Sequence, residues 1–536
     1  MTLWDRAKQV GRLAGKSGGG AVGIVGVFLV WELGAHLLAG RHILPTPYQV
    51  AVEMWNDKSY YWPNMLVTLR EAGKGYVAGN VLAIVLGIAF VQAPVLERLF
   101  MRLAIASYCV PLVAIAPILI VVTSGDTPKA ALAAIAVFFT TLIATLLGLR
   151  SVDKSALDLA KSCGGSSWAT LRKVRFQAAL PSIFAGLRIA APSALLGAII
   201  GEYLGTNSGL GAILIESQTS FNVTETWGLA VFIAALAGIA YGLTSLVARL
   251  LLPWAAKGST VVVGTADRRA AGQSFLSRTS VAVAYVVASV ALIIGLWYGV
   301  IWILNLNDFF AKNPADVWNY LFTGPNASSA RSLVFGQLGE TINDAVLGYV
   351  AGTAVAVLVA IGIVAKRSIE QTLMPIAIAL RSVPLVAMTP FLMLIFGRGA
   401  IGVSVVVGIV VFFPTLVNVI IGMRTAPEQA IDMVTSYGGS TLRAIRSVRF
   451  PYALPALFAS ARIAVPAAVA GATLAEWLAT GRGLGNLIVV SYTNSEFNTL
   501  WSATVVLVIV AVSVYALVGM LETIVRTRFG PAPEAD

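Results

Sequence analysis

Apolar runs alternate with short polar loops along the whole of this chain. Each run is about 20 residues long, which at a rise of about 1.5 Å per residue is enough to cross a hydrocarbon layer roughly 30 Å thick. We read twelve such runs, six in each half. In the first half they lie near Ala21–Leu38, Tyr76–Val95, Leu103–Val122, Ala130–Leu149, Ile183–Tyr203 and Trp227–Leu252. In the second they lie near Val281–Leu304, Tyr349–Val364, Leu373–Phe396, Ile401–Ile421, Leu457–Trp477 and Leu500–Val525. The short alternating segments of a transmembrane β-barrel are not seen. The expectation is an all-α polytopic membrane protein of two tandem six-helix halves. Because six crossings return the chain to its starting side, the halves share one orientation about a pseudo-two-fold axis along the membrane normal.

Composition agrees with the pattern. Of 536 residues, 58% are hydrophobic and 12% charged, and the mean hydropathy is +0.83, too apolar for a water-soluble chain. The net charge of +12 comes from short loops between spans, as expected for cytoplasmic loops, so it does not point to nucleic acid. Arg6, Lys8, Arg12 and Lys16 precede the first span and predict a cytoplasmic N-terminus, which an even number of spans extends to the C-terminus. No small-residue cleavage site follows that span, so it is expected to be retained. Residues 1–252 are expected to form the first half and 281–536 the second. Residues 253–280, with Lys257, Arg268 and Arg269 among Gly, Ser and Ala, read as a cytoplasmic linker. Two cysteines, Cys109 and Cys163, and two histidines, His36 and His42, offer no disulfide framework and no metal-ligand spacing.

One thirty-residue stretch occurs twice, 274 residues apart, at Cys163–Pro192 and Tyr437–Pro466, and sixteen of its thirty positions are identical. Lipid-facing helices resemble one another by composition alone, but these identities fall in a polar loop and the helix after it. Gly164-Gly165 and Gly438-Gly439 can end a helix through a residue of positive φ, and Ser166 and Ser440 are placed to cap the next one. In that helix Trp168, Leu171 and Val174 match Leu442, Ile445 and Val448, while Arg172 and Arg175 match Arg446 and Arg449. An apolar stripe with a basic flank can lie on a membrane surface or fit a groove on a partner protein. A plain loop obeying the charge rule needs the charge, though not this order of residues.

These residues resemble the permease subunits of bacterial binding-protein-dependent ABC importers. Their cytoplasmic loop carries Glu-Ala-Ala, three further residues, Gly, and then Leu-Pro. Here the matches are Asp158-Leu159-Ala160, Gly164 and Leu180-Pro181 within 151–181, and Asp432-Met433-Val434, Gly438 and Leu454-Pro455 within 424–455. The acid is Asp in both copies, and Gln177 stands where the second copy has Pro451. Upstream, VPLVAIAPILIVVTSGDTPK from Val110 and VPLVAMTPFLMLIFGRGAIG from Val383 resemble the Pro-rich third span of the nitrate, sulfonate and taurine subfamily. Downstream, GEYLGTNSGLG and AEWLATGRGLG resemble its Ala-Glu followed by Gly-Leu-Gly.

The resemblance implies a fused double permease in a bacterial inner membrane, passing a small polar or anionic solute inward by alternating access. Its partners would be two cytoplasmic ABC ATPase subunits, which hold ATP and magnesium, and an extracytoplasmic solute-binding protein; this chain itself would bind no cofactor. Gly164–Arg175 and Gly438–Arg449 would be the coupling helices. Pro111, Pro117, Pro384 and Pro390 break spans and either line the path or form packing kinks. Glu202 and Glu476, at span ends, either meet the solute or cap the loop that follows. Arg188 and Arg462 either hold a gate region near the cytoplasmic face or snorkel there.

Gly11–Ser17 imitates a phosphate loop, but it has three residues between its glycines instead of four and no preceding strand, so ATP chemistry is expected on a separate subunit. The chain shows no nucleophile, base or metal cluster of an enzyme. The rival reading is an ion-gradient-driven secondary transporter with parallel six-helix repeats, which usually needs ionisable residues deep within its spans.

Overall fold

The computed structural model describes residues 26–37, 39–41, 43–123, 125–204, 207–254, 275–382 and 385–529. The Gly11–Ser17 tract, the start of the first expected span, most of the linker and Pro384 lie outside the described residues.

All regular structure among the described residues is helical. The first half contains α1 (Gly26–Leu37), α2 (Pro47–Asn56), α3 (Lys58–Gln92), α4 (Pro94–Cys109), α5 (Leu112–Val122), α6 (Thr127–Arg150), α7 (Lys154–Ser162), α8 (Ser167–Tyr203), α9 (Leu210–Thr219) and α10 (Val223–Leu251). The second repeats the order as α11 (Phe275–Ile303), α12 (Pro314–Trp318, extended by a π turn over Asn319–Thr323), α13 (Ala327–Ala365), α14 (Arg367–Ser382), α15 (Leu385–Phe396), α16 (Ala400–Arg424), α17 (Glu428–Ser436), α18 (Thr441–Thr480), α19 (Gly483–Thr493) and α20 (Phe497–Phe529). Nine of the described helices are long and apolar enough to span a membrane. The other expected spans correspond to α1, the α4–α5 pair and the α14–α15 pair.

Several boundaries differ from the hydropathy reading. The span expected at Leu103–Val122 is two helices that meet at 100°. Pro111 has no N–H to continue the ladder and forces Val110 into extended backbone at φ −70°, ψ 119°. Helix α3 begins at Lys58 rather than near Tyr76, and α13 at Ala327 rather than near Tyr349. At 35 residues α3 is about 52 Å long, so its charged first turns extend beyond a layer of about 30 Å.

Helix α6 packs between α3 and α8, and α16 packs between α13 and α18. Small residues allow the close approach: at Gly352 a side chain would meet the Gly408 backbone at 2.7 Å. The halves also interlock. Cys109, Ala114 and Ile118 of α4 and α5 are buried with Leu484, Leu500 and Leu507 of the second half. In return Val386, Ala387 and Leu474 are buried with Leu132, Leu195 and Leu214 of the first. Each half thus lends a short helix, α5 or α15, to the core of the other.

Candidate functional site: two polar loops and two acid-held turns

The two repeated loops have one geometry. Helix α7 ends where Gly164 takes φ +77°; Gly164 N–H bonds Lys161 C=O and Gly165 N–H bonds Ala160 C=O, both at 2.9 Å. That double bond closes the helix end. A side chain at Gly165 would lie 2.6 Å from the Ala160 carbonyl oxygen, so the second glycine is needed for space. Gly438 (φ +75°) and Gly439 repeat both bonds onto Thr435 and Val434. Ser166 Oγ then accepts the Ala169 N–H at 3.2 Å, and Ser440 Oγ the Arg443 N–H at 3.3 Å. Both serines therefore cap, as the sequence predicts.

The next helix does not offer its stripe as one face. After one turn it widens into a π turn, Leu171–Arg175 and Ile445–Arg449, then continues unbroken into the long span. Trp168 (63% exposed) and Leu442 (64%) face outward, whereas Leu171 (3%) and Ile445 (2%) are turned inward. Leu171 packs with Leu149, Ala179 and Ile183 of the bundle. Joining the helix to its span puts those two positions on the core side, so they anchor the loop instead of joining its outer face. Arg172 and Arg446 are exposed, and Arg175 and Arg449 are half-buried. Asp158 and Asp432 are exposed on α7 and α17, and Asp158 lies 3.9 Å from Lys161. Their neighbours Leu159 and Met433 are also exposed, on the helix just before each double-glycine turn. Sequence reading passed over these two, although the 274-residue offset pairs them.

At the opposite end of the bundle, Glu202 and Glu476 are wholly buried. Glu202 Oε2 accepts the Gly211 N–H at 2.7 Å and the Thr68 hydroxyl at 2.9 Å. Thr68 Oγ1 in turn accepts the Leu210 N–H at 2.8 Å, and Asn64 Oδ1 the Gly209 N–H at 2.8 Å. The second half matches it bond for bond: Glu476 takes Gly485 N–H and Thr341 Oγ1 at 2.9 Å each, Thr341 takes Leu484 N–H, and Gln337 takes Gly483 N–H. The orphan N–H groups that start α9 and α19 are thereby satisfied. Of the two roles open to these acids, their bonds are those of a cap.

An acid sits beside each cap, and its charge is balanced differently in the two halves. Glu71, three residues after Thr68, pairs with buried Lys129 of α6 at 2.6 Å. Asp344, three residues after Thr341, pairs with Arg482 of the loop at 3.1 Å, and Arg482 also reaches Glu340 at 2.9 Å. The sequence did carry a signal: Asn64, Thr68 and Glu71 recur in spacing as Gln337, Thr341 and Asp344.

Arg188 and Arg462 are not near a helix start. Helix α8 begins at Ser167, which puts Arg188 about 32 Å along it and about 22 Å from Tyr203. Arg462 lies 3.5 Å from Glu522 and 4.7 Å from the Tyr515 ring centre. Pro111 separates α4 from α5, Pro117 is buried inside α5, and Pro390 is half-buried inside α15. Among the described residues no group of three His, Cys, Asp or Glu side chains is placed to hold a metal ion.

Comparison with known proteins adds the family. The profile described as "Binding-protein-dependent transport system inner membrane component" matches residues 79–260 and again 326–529. A probable ABC transporter permease of Haemophilus influenzae is 32% identical over 203 residues, 37% of this chain and 83% of its own length. A formylaminopyrimidine transport permease of Halalkalibacterium halodurans is 29% identical over 43% of this chain and 93% of its own length. A putative aliphatic sulfonates transport permease of Bacillus subtilis is 25% identical over 42% and 84%.

Proposed function

The chain belongs to the binding-protein-dependent transport system inner membrane components, with two copies of the family's domain in tandem, and we propose that it forms the whole membrane passage of an ATP-driven importer. It is a fused double permease rather than an enzyme. In this reading ATP and magnesium sit on two cytoplasmic ATPase subunits, and an external binding protein delivers a small polar or anionic solute. The chain lies in the bacterial inner membrane with both termini in the cytoplasm.

The observation that carries the reading is the duplicated loop. Each copy presents an apolar pair, Leu159 with Trp168 or Met433 with Leu442, flanked by an exposed arginine. A rigid double-glycine turn fixes the two members of each pair, and the helix that bears one of them runs unbroken into a membrane span. Such a helix can transmit movement of a docked partner along its axis. Approach of the two ATPases would draw the loops together and, through α8 and α18, shift the halves between inward-open and outward-open states. The interlocked α4–α5 and α15 couple the halves mechanically.

Gly164→Asp and Gly438→Asp each place a charge in the turn between the apolar pair. Both variants are expected to insert normally and to lose transport-linked ATP hydrolysis; unchanged hydrolysis in both would refute the coupling role.

A further inference from the structure

At the end of the bundle away from the two repeated loops, a cavity of ≈ 80 Å³ opens on the seam between the halves. Ser217 and Gln218 of α9 and Thr226 of α10 line one side, and Phe391 and Leu394 of α15 line the other. Arg398 stands over it from the turn Gly397–Gly399, which joins α15 to α16.

Arg398 is exposed, and among the described residues no carboxylate lies within ion-pair distance of it. The nearest acids in sequence to the lining keep their charge in hydrogen bonds from neutral donors, Glu216 from the Tyr60 hydroxyl at 2.9 Å and Glu225 from the Asn222 amide at 2.9 Å, and among the lining residues Arg398 alone is charged. Gln218 accepts the Tyr203 hydroxyl through Oε1, while its Nε2 donors reach Val386 and Ala387 carbonyls only at 3.5 Å. An under-used amide donor and a cation without a counter-charge therefore meet at one small apolar-walled space. Tyr203, bonded to Gln218, also meets Trp477 of the other half edge-on, 5.1 Å between ring centres.

The pseudo-symmetric seam carries different residues. Tyr492 and Leu500 stand in place of Gln218 and Thr226. The matching turn after α5 carries an acid, Asp126, bonded to Lys74 at 3.1 Å. That bond holds the Asp126 carboxyl below the usual carboxylate range and pairs its charge with a lysine.

We propose that Arg398, with the Gln218 amide, forms a single site at the mouth of the seam for the carboxylate or sulfonate group of a small dissolved organic anion, its carbon end resting on Phe391 and Leu394. The cavity has room for a head group and a short chain, and a charge-assisted bond to the guanidinium favours an anion over a neutral isostere. This rests on the transport reading in placing the site on the outside and on the solute's route.

The test uses the full chain in phosphatidylcholine nanodiscs with radiolabelled butyrate as probe. Binding is expected to saturate, to be displaced by ethanesulfonate, and to resist butyramide. Loss of one charge-assisted contact, about 1.5–3 kcal/mol, predicts that Arg398→Gln weakens butyrate about tenfold or more. Arg331→Gln, a cation elsewhere on the same end, should bind as the parent does. Equal binding by the Arg398 variant, or equal competition by butyramide, would overturn the proposal; so would suppression by added phosphatidylglycerol, which would assign the cation to a lipid phosphate. ATPase capture is measured on the same preparation. A chain that captures ATPase and binds no butyrate sinks the site alone, whereas one that binds butyrate and captures no ATPase sinks the importer reading and leaves the site standing.

Discussion

The carboxylate of Glu202 fills the space in which a side chain on Gly209 would begin. Gly209 holds φ +105° there, and Glu476 stands in the same relation to Gly483 at φ +84°. The residue that caps the helix thus also dictates the glycine before it, and the pair recurs across 274 residues.

Two consequences follow for the cap. Gly209→Ala or Gly483→Ala combines a positive-φ backbone penalty of about 1–3 kcal/mol with a collision against the acid. Glu202→Ala leaves the Gly211 N–H buried without a partner at about 1–3 kcal/mol. Thermal unfolding in nanodiscs should fall for all three, with uptake falling in parallel. Glu202→Gln that kept full stability while losing uptake would instead point to contact with the solute.

The buried Lys129–Glu71 pair predicts an asymmetry between the halves. Lys129→Met strands a buried carboxylate, a loss of about 3 kcal/mol or more, and Lys129→Met with Glu71→Gln should regain much of it. Arg482→Gln strands Asp344, which is just as buried, but the guanidinium it removes is about a third exposed, so water can enter the space it leaves and the drop should be smaller. Equal losses of melting temperature would contradict this assignment.

Burial separates docking positions from anchoring ones in the repeated loops. Trp168→Asp and Leu442→Asp should preserve melting temperature and abolish ATPase binding. Leu171→Asp and Ile445→Asp put a charge into the bundle and should lower stability before any binding is measured. The reverse pattern would show that the inward positions, not the outward ones, meet the partner.

The two cysteines report orientation. Cys163 is exposed on a repeated loop and Cys109 is buried. A membrane-impermeant maleimide should label Cys163 in inside-out vesicles and not in intact spheroplasts, and bound ATPase should protect it. Labelling from outside would place the loops on the wrong side of the membrane for the proposed partner.

Much of the architecture was legible because hydrophobic length and exact repetition both survive in a sequence. The tandem halves, the double-glycine ends and the serine caps needed only those. The break at Pro111 was expected, but which prolines leave a helix intact was not legible: Pro117 and Pro390, expected to break spans, sit within unbroken helices, as do Pro181, Pro192 and Pro414. Whether a proline breaks a span depends on what its neighbours can satisfy, and that is a tertiary property. The inward turn of Leu171 depends likewise on α8 continuing without a break. The acid at each turn was visible, but its partners lay on α3 and α13, more than 130 residues away. Lys129 and Arg482 share no sequence position, so only the folded halves reveal that they neutralise equivalent acids.

The central claim is that two loops on one chain dock ATPases, and affinity purification of the tagged chain from its native membrane tests it most directly. Mass spectrometry is predicted to find a Walker-motif ATPase in stoichiometric amount, lost when Trp168 and Leu442 are both changed to Asp in a chain that still inserts. A chain isolated alone that carries solute into liposomes on an ion gradient would contradict the account.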